Sequence, residues 1–362
     1  MKNVNKIPFL VILMGVFSLT MLLPSVHALY LGLHRVAQAF FYSSLLFSTL
    51  TILLGFSLRR PRSQSKSKNV LMSLVGFYVF VPLFLALPLK ESLVGFNFIS
   101  LYFEMVSCLT TTGATIFDSS YKISEPIHLW RSLVGWLGGF VFLIIVFAIL
   151  TPMKLGGFEV FNNTSQGNYA VRAITTQNSE ERLLRYSKKL FPIYFIITVV
   201  LFFLLLLTGN RAFTSLCLAF STLSTSGILP YNNINFLNIS FLGQLIIFVF
   251  LILSFSHTFT SGKKFDFIQN LKLGREVRVA FIFTLLVMVF LLVSDTFIYL
   301  TQEKHFEVFW MLKRIWPRLF STVSFIATSG FAITPLGGEN PIIPFVILAG
   351  LSIIGGGVAT TA

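Results

Sequence analysis

The sequence predicts an all-helical integral membrane protein, built as an N-terminal helix pair followed by repeated units of helix, re-entrant segment and helix. Three observations lead there. Of the 362 residues, 55% are hydrophobic and only 11% charged, which leaves too little polar surface to cover a soluble globule. Apolar runs of the roughly 18 to 23 residues needed to cross about 30 Å of hydrocarbon recur along the chain. Between some of them lie shorter apolar stretches, each ending in a hydroxyl-rich tract with one glycine.

The long runs lie near Pro8 to Leu29, Val36 to Leu58, Val70 to Leu89, Ser132 to Thr151, Leu190 to Leu207, Ile239 to Thr260, Val279 to Leu300, and Pro341 to the end of the chain. The first follows Lys2 and Lys6 and closes on small residues, so a cleaved signal peptide is the alternative reading of it. Either way the second run descends from outside to inside.

Orientation follows from Lys and Arg, which concentrate in short cytoplasmic loops. Arg59, Arg60, Arg62, Lys66 and Lys68 follow the second run; Lys154, Arg172, Arg182, Arg185, Lys188 and Lys189 follow the fourth; Lys263, Lys264, Lys272, Arg275 and Arg278 follow the sixth. All three loops fall on one side, which predicts a cytoplasmic N-terminus. They also account for most of the +14 net charge, dispersed over membrane loops rather than gathered into a nucleic-acid surface. Cys108 and Cys217 support neither a disulfide framework nor a zinc site and read as packing residues.

The shorter apolar stretches are Phe96 to Leu109, Ala212 to Leu223 and Phe306 to Ile326. They are too short or too interrupted to span, which predicts re-entry from the outside. They end in Thr110-Thr111-Thr112-Gly113, Ser224-Thr225-Ser226-Gly227 and Ala327-Thr328-Ser329-Gly330. Aligned on their glycines, the tracts are 114 and 103 residues apart, an internal repeat. This divides the chain into residues 1–68, the helix pair with its basic loop; 69–189, the first repeat and loop; 190–278, the second; and 279–362, a third repeat cut short in its last helix.

A single hydroxyl-glycine step in an apolar chain reads by default as a helix end or packing contact. Threefold recurrence reverses that reading. A monovalent cation, potassium first, must exchange its water shell for oxygens, and backbone carbonyls of re-entrant loops can supply them. Glycine permits the unusual angles that aim carbonyls at an axis, while small Thr and Ser allow close approach. The twelve tract residues are therefore candidate potassium ligands, with potassium as transported substrate and no cofactor.

Charge within membrane depth marks function by default. Glu104, about two turns before the first glycine, either adds negative potential or supports the short helix, the second being preferred. Arg131 and Asp295 read as interfacial anchors. Lys313, Arg314 and Arg318 either repel cations or anchor the third short helix. Gly355, Gly356 and Gly357 together cost a helix roughly 1 kcal/mol each, which predicts an unwound segment, read as a movable gate. A membrane enzyme is the alternative from another class, but the 13 acids and the histidines His27, His34, His128, His257 and His305 form no compact cluster of the kind acid-base or metal chemistry needs.

The stretch Thr110 to Thr115, TTTGAT, with Trp130-Arg131-Ser132 and Gly135-Trp136-Leu137-Gly138-Gly139, resembles the first pore repeat of the TrkH family of bacterial potassium uptake proteins. Phe17-Ser18-Leu19-Thr20-Met21-Leu22 is similar to that family's first helix, Phe220 to Gly227 to its second pore loop, and Ala327 to Phe331 to its third. The resemblance covers essentially the whole chain. It implies four pore repeats around a pseudo-fourfold axis, an architecture shared with KtrB proteins, in the bacterial inner membrane. It also implies a homodimer and a cytosolic, nucleotide-binding TrkA-type regulatory subunit.

Two departures stand out. By the repeat spacing a fourth glycine is expected roughly 75 residues beyond Ala362, and the chain stops in a glycine-rich stretch resembling the family's gating loop. A longer product, a split gene, and a non-transporting remnant or accessory subunit are the corresponding expectations. In the second tract Ile228 stands where the family often has Phe.

Overall fold

The computed structural model describes residues 8–58, 67–117, 123–150, 179–230, 239–254, 275–301, 308–333 and 342–354. Among these every regular element is helical. Among the described residues, five helical stretches are long and apolar enough to cross a membrane: Phe9–Tyr30, His34–Ser57, Met72–Ser92, Glu125–Ile149 and Arg182–Leu207.

The first of these is not one helix. It is α1 (Phe9–Thr20) and α2 (Leu22–Tyr30), parted by a turn at Met21. Both pack on α3 (His34–Ser57). The small polar residues of this pair become internal ties: the Ser44 hydroxyl donates to the Ser18 carbonyl (2.7 Å) and the Ser25 hydroxyl to that of Ala37 (2.9 Å). Hydroxyl-to-backbone bonds of this kind hold helices where lipid offers no hydrophobic driving force.

α4 (Ser67–Ser92) carries Pro82 and Pro88 internally, which membrane helices tolerate when neighbours satisfy the freed carbonyls. Trp130 ties into the same helix, its indole N–H donating to the Leu85 carbonyl, 3.2 Å away. α4 packs on the first short helix, α5 (Phe98–Leu109), and α5 on α6 (Glu125–Ile145). α6 begins seven residues before the predicted run, because Ser124 is extended, Pro126 occupies the first turn and Glu125 faces the positive helix end. It continues as a single π-helical stretch, Val146–Leu150.

α6 is the interior helix of its surroundings: 78% of its span is buried, against 22% for the next span, within α7 (Ser179–Leu207). Tyr194 of α7 donates to the Trp136 carbonyl (3.0 Å) from within a cluster formed with Phe140 and Phe191. Close approach of α5 to α6 is bought by Gly138, where a Cβ would collide with the carbonyl of Leu109.

The chain then forms α8 (Ala212–Leu223), α9 (Phe241–Ser254), α10 (Arg275–Thr301), α11 (Val308–Ile326) and α12 (Ile342–Ile354). α8 packs on α9, α9 on α11, and α11 on both α10 and α12. Their core is aliphatic and aromatic, with Leu205, Leu218, Ile247, Leu251, Phe320 and Phe331 at its centre. The three predicted short stretches are thus helices that end at the tracts. By compactness the chain divides into residues 1–110 with 114–197, and residues 198–362 together with Thr111–Gly113.

Candidate functional site

The site is made by how α5, α8 and α11 stop. Thr111, Thr225 and Thr328 all have left-handed backbones, with φ of 57°, 48° and 61°, and so do Gly113, Gly227 and Gly330, at 74°, 65° and 68°. Thr112, Ser226 and Ser329 between them are not left-handed. Each tract therefore alternates in hand, two positions apart, in the same register. Alternation turns successive carbonyls to one side of the chain and N–H groups to the other.

The hydrogen bonds show where the N–H groups go. In α8, Thr225 N–H donates to the Thr222 carbonyl (3.3 Å) and Ser226 N–H to that of Ser221 (3.1 Å); in α11, Thr328 pairs with Phe325 (3.0 Å) and Ser329 with Ser324 (2.9 Å). This is the Schellman ending, in which the left-handed position is usually glycine. Here it is threonine, a β-branched residue for which a positive φ is a genuine outlier. In the second and third tracts the helix end thus takes up the N–H groups of Thr225, Ser226, Thr328 and Ser329. Each helix also presents its C-terminus, equivalent to about half a negative charge, to the tract that follows.

Several tract hydroxyls are committed locally. Thr110 donates to Val106 O (2.8 Å), Ser224 to Phe220 O (2.8 Å) and Thr328 to Ala327 O (2.7 Å). Backbone oxygens rather than these hydroxyls are what the tracts offer.

Neighbouring tracts meet edge to edge. A Cβ on Gly113 would fall on the carbonyl oxygen of Ser226, and one on Gly227 on that of Ser329. Of the predicted ligands, Thr111 to Gly113, Ser224 to Gly227 and Ala327 to Gly330 lie in one compact unit; Thr110 belongs to the other. Gly355, Gly356 and Gly357 lie outside the described residues.

The residues that follow the first tract, Thr115 to Phe117, contact a buried ion pair. Glu104 is fully buried and accepts the Arg131 Nε–H at 2.7 Å through Oε1, while Oε2 accepts the Ile116 N–H at 2.9 Å. Arg131 also donates to the Thr115 hydroxyl (2.9 Å), which donates in turn to Glu104 (3.3 Å), and its guanidinium sits 5.1 Å from the Phe117 ring centroid. The supporting role for Glu104 agrees with this geometry. Arg131 as an interfacial anchor does not: it is 4% exposed, because its charge is matched by a carboxylate one helix away. Arg318 is likewise buried, and the side chains of Lys313 and Asp295 lie outside the described ones.

Sequence reasoning missed a serine six positions before each glycine: Ser107, Ser221 and Ser324. Ser107 donates to the Ala114 carbonyl (2.6 Å), and Ser324 Oγ accepts the Phe331 N–H (2.6 Å), so both tie the helix to the residue after the glycine. Ser221 instead lies 3.5 Å from the Ser226 hydroxyl. Extending the glycine alignment six residues upstream would have revealed it.

No family model matches the chain. An uncharacterised cation transporter of Methanocaldococcus jannaschii is 24% identical over 319 residues, 85% of this chain and 59% of the relative. The potassium uptake protein TrkG of Escherichia coli is 26% identical over 59% of this chain and 43% of its own length. TrkH of Vibrio parahaemolyticus is 27% identical over 362 residues, 97% of this chain and 70% of the relative. The chain therefore spans about half the length of the first two relatives. The crystal structure of that Vibrio TrkH superimposes over the whole chain and 72% of its own, with a TM-score of 0.76 at 25% identity. By sequence along its length and by fold, the chain is similar to the Trk potassium uptake proteins, TrkH among them.

Proposed function

We propose that the chain is the pore-forming part of a Trk-type potassium uptake system, passing dehydrated potassium between backbone carbonyls of its re-entrant loops. The observation that carries this reading is the threefold alternation of hand at Thr111/Gly113, Thr225/Gly227 and Thr328/Gly330. Strained backbone repeated in register at three helix ends is expensive, about 1 to 3 kcal/mol at each non-glycine position, and alternation of hand is what turns successive carbonyls to one side of a chain. A cation stripped of water needs that arrangement. The ligands are Thr110 to Gly113, Ser224 to Gly227 and Ala327 to Gly330, with no cofactor and no covalent chemistry.

The basic loops support a cytoplasmic N-terminus in a bacterial inner membrane. The relationship to Trk uptake proteins supports a homodimer regulated by a TrkA-type nucleotide-binding subunit, and Gly355 to Gly357 as a gate beneath the carbonyl site.

The test is rubidium uptake and potassium-limited growth in bacteria lacking their own importers. They express this chain alone, the chain joined to the fourth repeat of a relative, and Gly113→Asp versions of both. Uptake in either parent form, abolished by Gly113→Asp, is the expected result. No uptake from either form, with insertion verified, overturns the reading.

A further inference from the structure

We propose that Glu104 and Arg131 are positioning residues for ion selection: their buried pair fixes the outgoing limb of the first loop, Ala114 to Phe117, and with it the carbonyls around Gly113. The inference rests on the potassium reading above. It goes beyond support of a helix, because the contacts reach the loop itself.

Glu104 sits on α5, ahead of the tract, and Arg131 on α6, after it. Between them they grip three successive groups of the limb: the Thr115 hydroxyl, the Ile116 N–H and the Phe117 ring. Ser107 adds a fourth hold on the Ala114 carbonyl. Both charges are almost wholly removed from solvent, where a charge is tolerated only when paired and hydrogen-bonded. The pairing geometry therefore dictates where the limb runs.

The matching positions of the other loops do not carry this pair. Nine residues before and eighteen after the glycine, where the first repeat has Glu104 and Arg131, the second has Leu218 and Leu245 and the third Ser321 and Leu348. No ion pair is available at those positions. The outgoing limb of the first loop is thus held by a charge pair that the sequence does not repeat at the matching positions of the other two.

The experiment compares purified full-length wild type, Glu104→Gln, Arg131→Gln, Arg131→Lys, Thr115→Val and the apolar double variant Glu104→Leu/Arg131→Leu. Hydrogen exchange is followed in peptides covering 114–117, alongside the rise in melting temperature caused by potassium against sodium. Expected is at least tenfold faster exchange confined to 114–117, with the potassium-over-sodium preference falling at least tenfold in apparent affinity and partly kept in Arg131→Lys. The double variant and Thr115→Val leave no lone buried charge, so they report even if the single neutralisations do not fold. Unchanged exchange and preference in folded double and Thr115→Val proteins would overturn the proposal, as would acceleration spread evenly over all peptides. Absence of any potassium preference in wild type would sink the potassium reading instead, and the exchange arm would still decide whether the pair positions the limb.

Discussion

The carbonyl oxygen of Ser226 stands where a β-carbon on Gly113 would have to go. Ser329 and Gly227 repeat the relationship, while a Cβ on Gly330 meets nothing within 4 Å among the described residues. All three glycines share the left-handed backbone, so any side chain is strained by roughly 1 to 2 kcal/mol. Only the first two also displace a neighbouring carbonyl. Rubidium uptake should fall at least a hundredfold in Gly113→Ala and Gly227→Ala, and within about tenfold in Gly330→Ala. Equal losses at all three would show that backbone hand alone matters.

Thr328 occupies the left-handed position of a helix ending that ordinarily favours glycine. Thr328→Gly relieves that strain at the cost of unfolded-chain entropy, about 0.5 to 1 kcal/mol. The variant should melt no lower than wild type in detergent, and selectivity for potassium over sodium should weaken as the tract loosens. A clear drop in melting temperature would mean that the threonine is held without strain.

Gly76 and Gly138 both lie within helices but have opposite surroundings. A Cβ at Gly76 makes ordinary contact with the Phe80 ring at 3.8 Å, whereas one at Gly138 runs into the last residue of α5. Gly76→Ala should be neutral or stabilising by up to about 1 kcal/mol. Gly138→Ala should sharply reduce the yield of folded protein, read by size-exclusion of a fluorescent fusion. Equal yields would contradict the close approach of α5 and α6.

Ser324→Ala removes the acceptor of the buried Phe331 N–H. Leaving a buried donor unsatisfied costs about 1 to 3 kcal/mol. Melting temperature should fall more in Ser324→Ala than in Ser221→Ala, since Ser221 makes only a 3.5 Å side-chain contact. The reverse order would show that the third loop does not depend on this clamp.

Much of this was legible in the sequence because membrane helices are written in apolar length and the repeat in glycine register. The short helices Phe98–Leu109 and Ala212–Leu223 end at the expected residues, since a hydroxyl tract with glycine cannot extend a helix cheaply. The break at Met21 was not legible: the residues around it are uniformly apolar, and composition cannot distinguish one helix from two. Arg131 was misread for a related reason. Its position near the start of α6 suggests a headgroup anchor, and only the packing of α5 against α6 brings Glu104 to within 2.7 Å. The left-handed threonines were hidden because threonine is a poor signal for positive φ. Only their recurrence two places before each glycine, taken with the helix ends, gives them away.

With Gly113 already resting on the Ser226 carbonyl and Gly227 on that of Ser329, these neighbouring loops have no room to draw closer. Their spacing has a hard floor and a soft ceiling. On the potassium reading proposed above, damage to this protein will therefore err in one direction: altered loops can spread and admit larger or better-hydrated ions, but they cannot tighten around smaller ones.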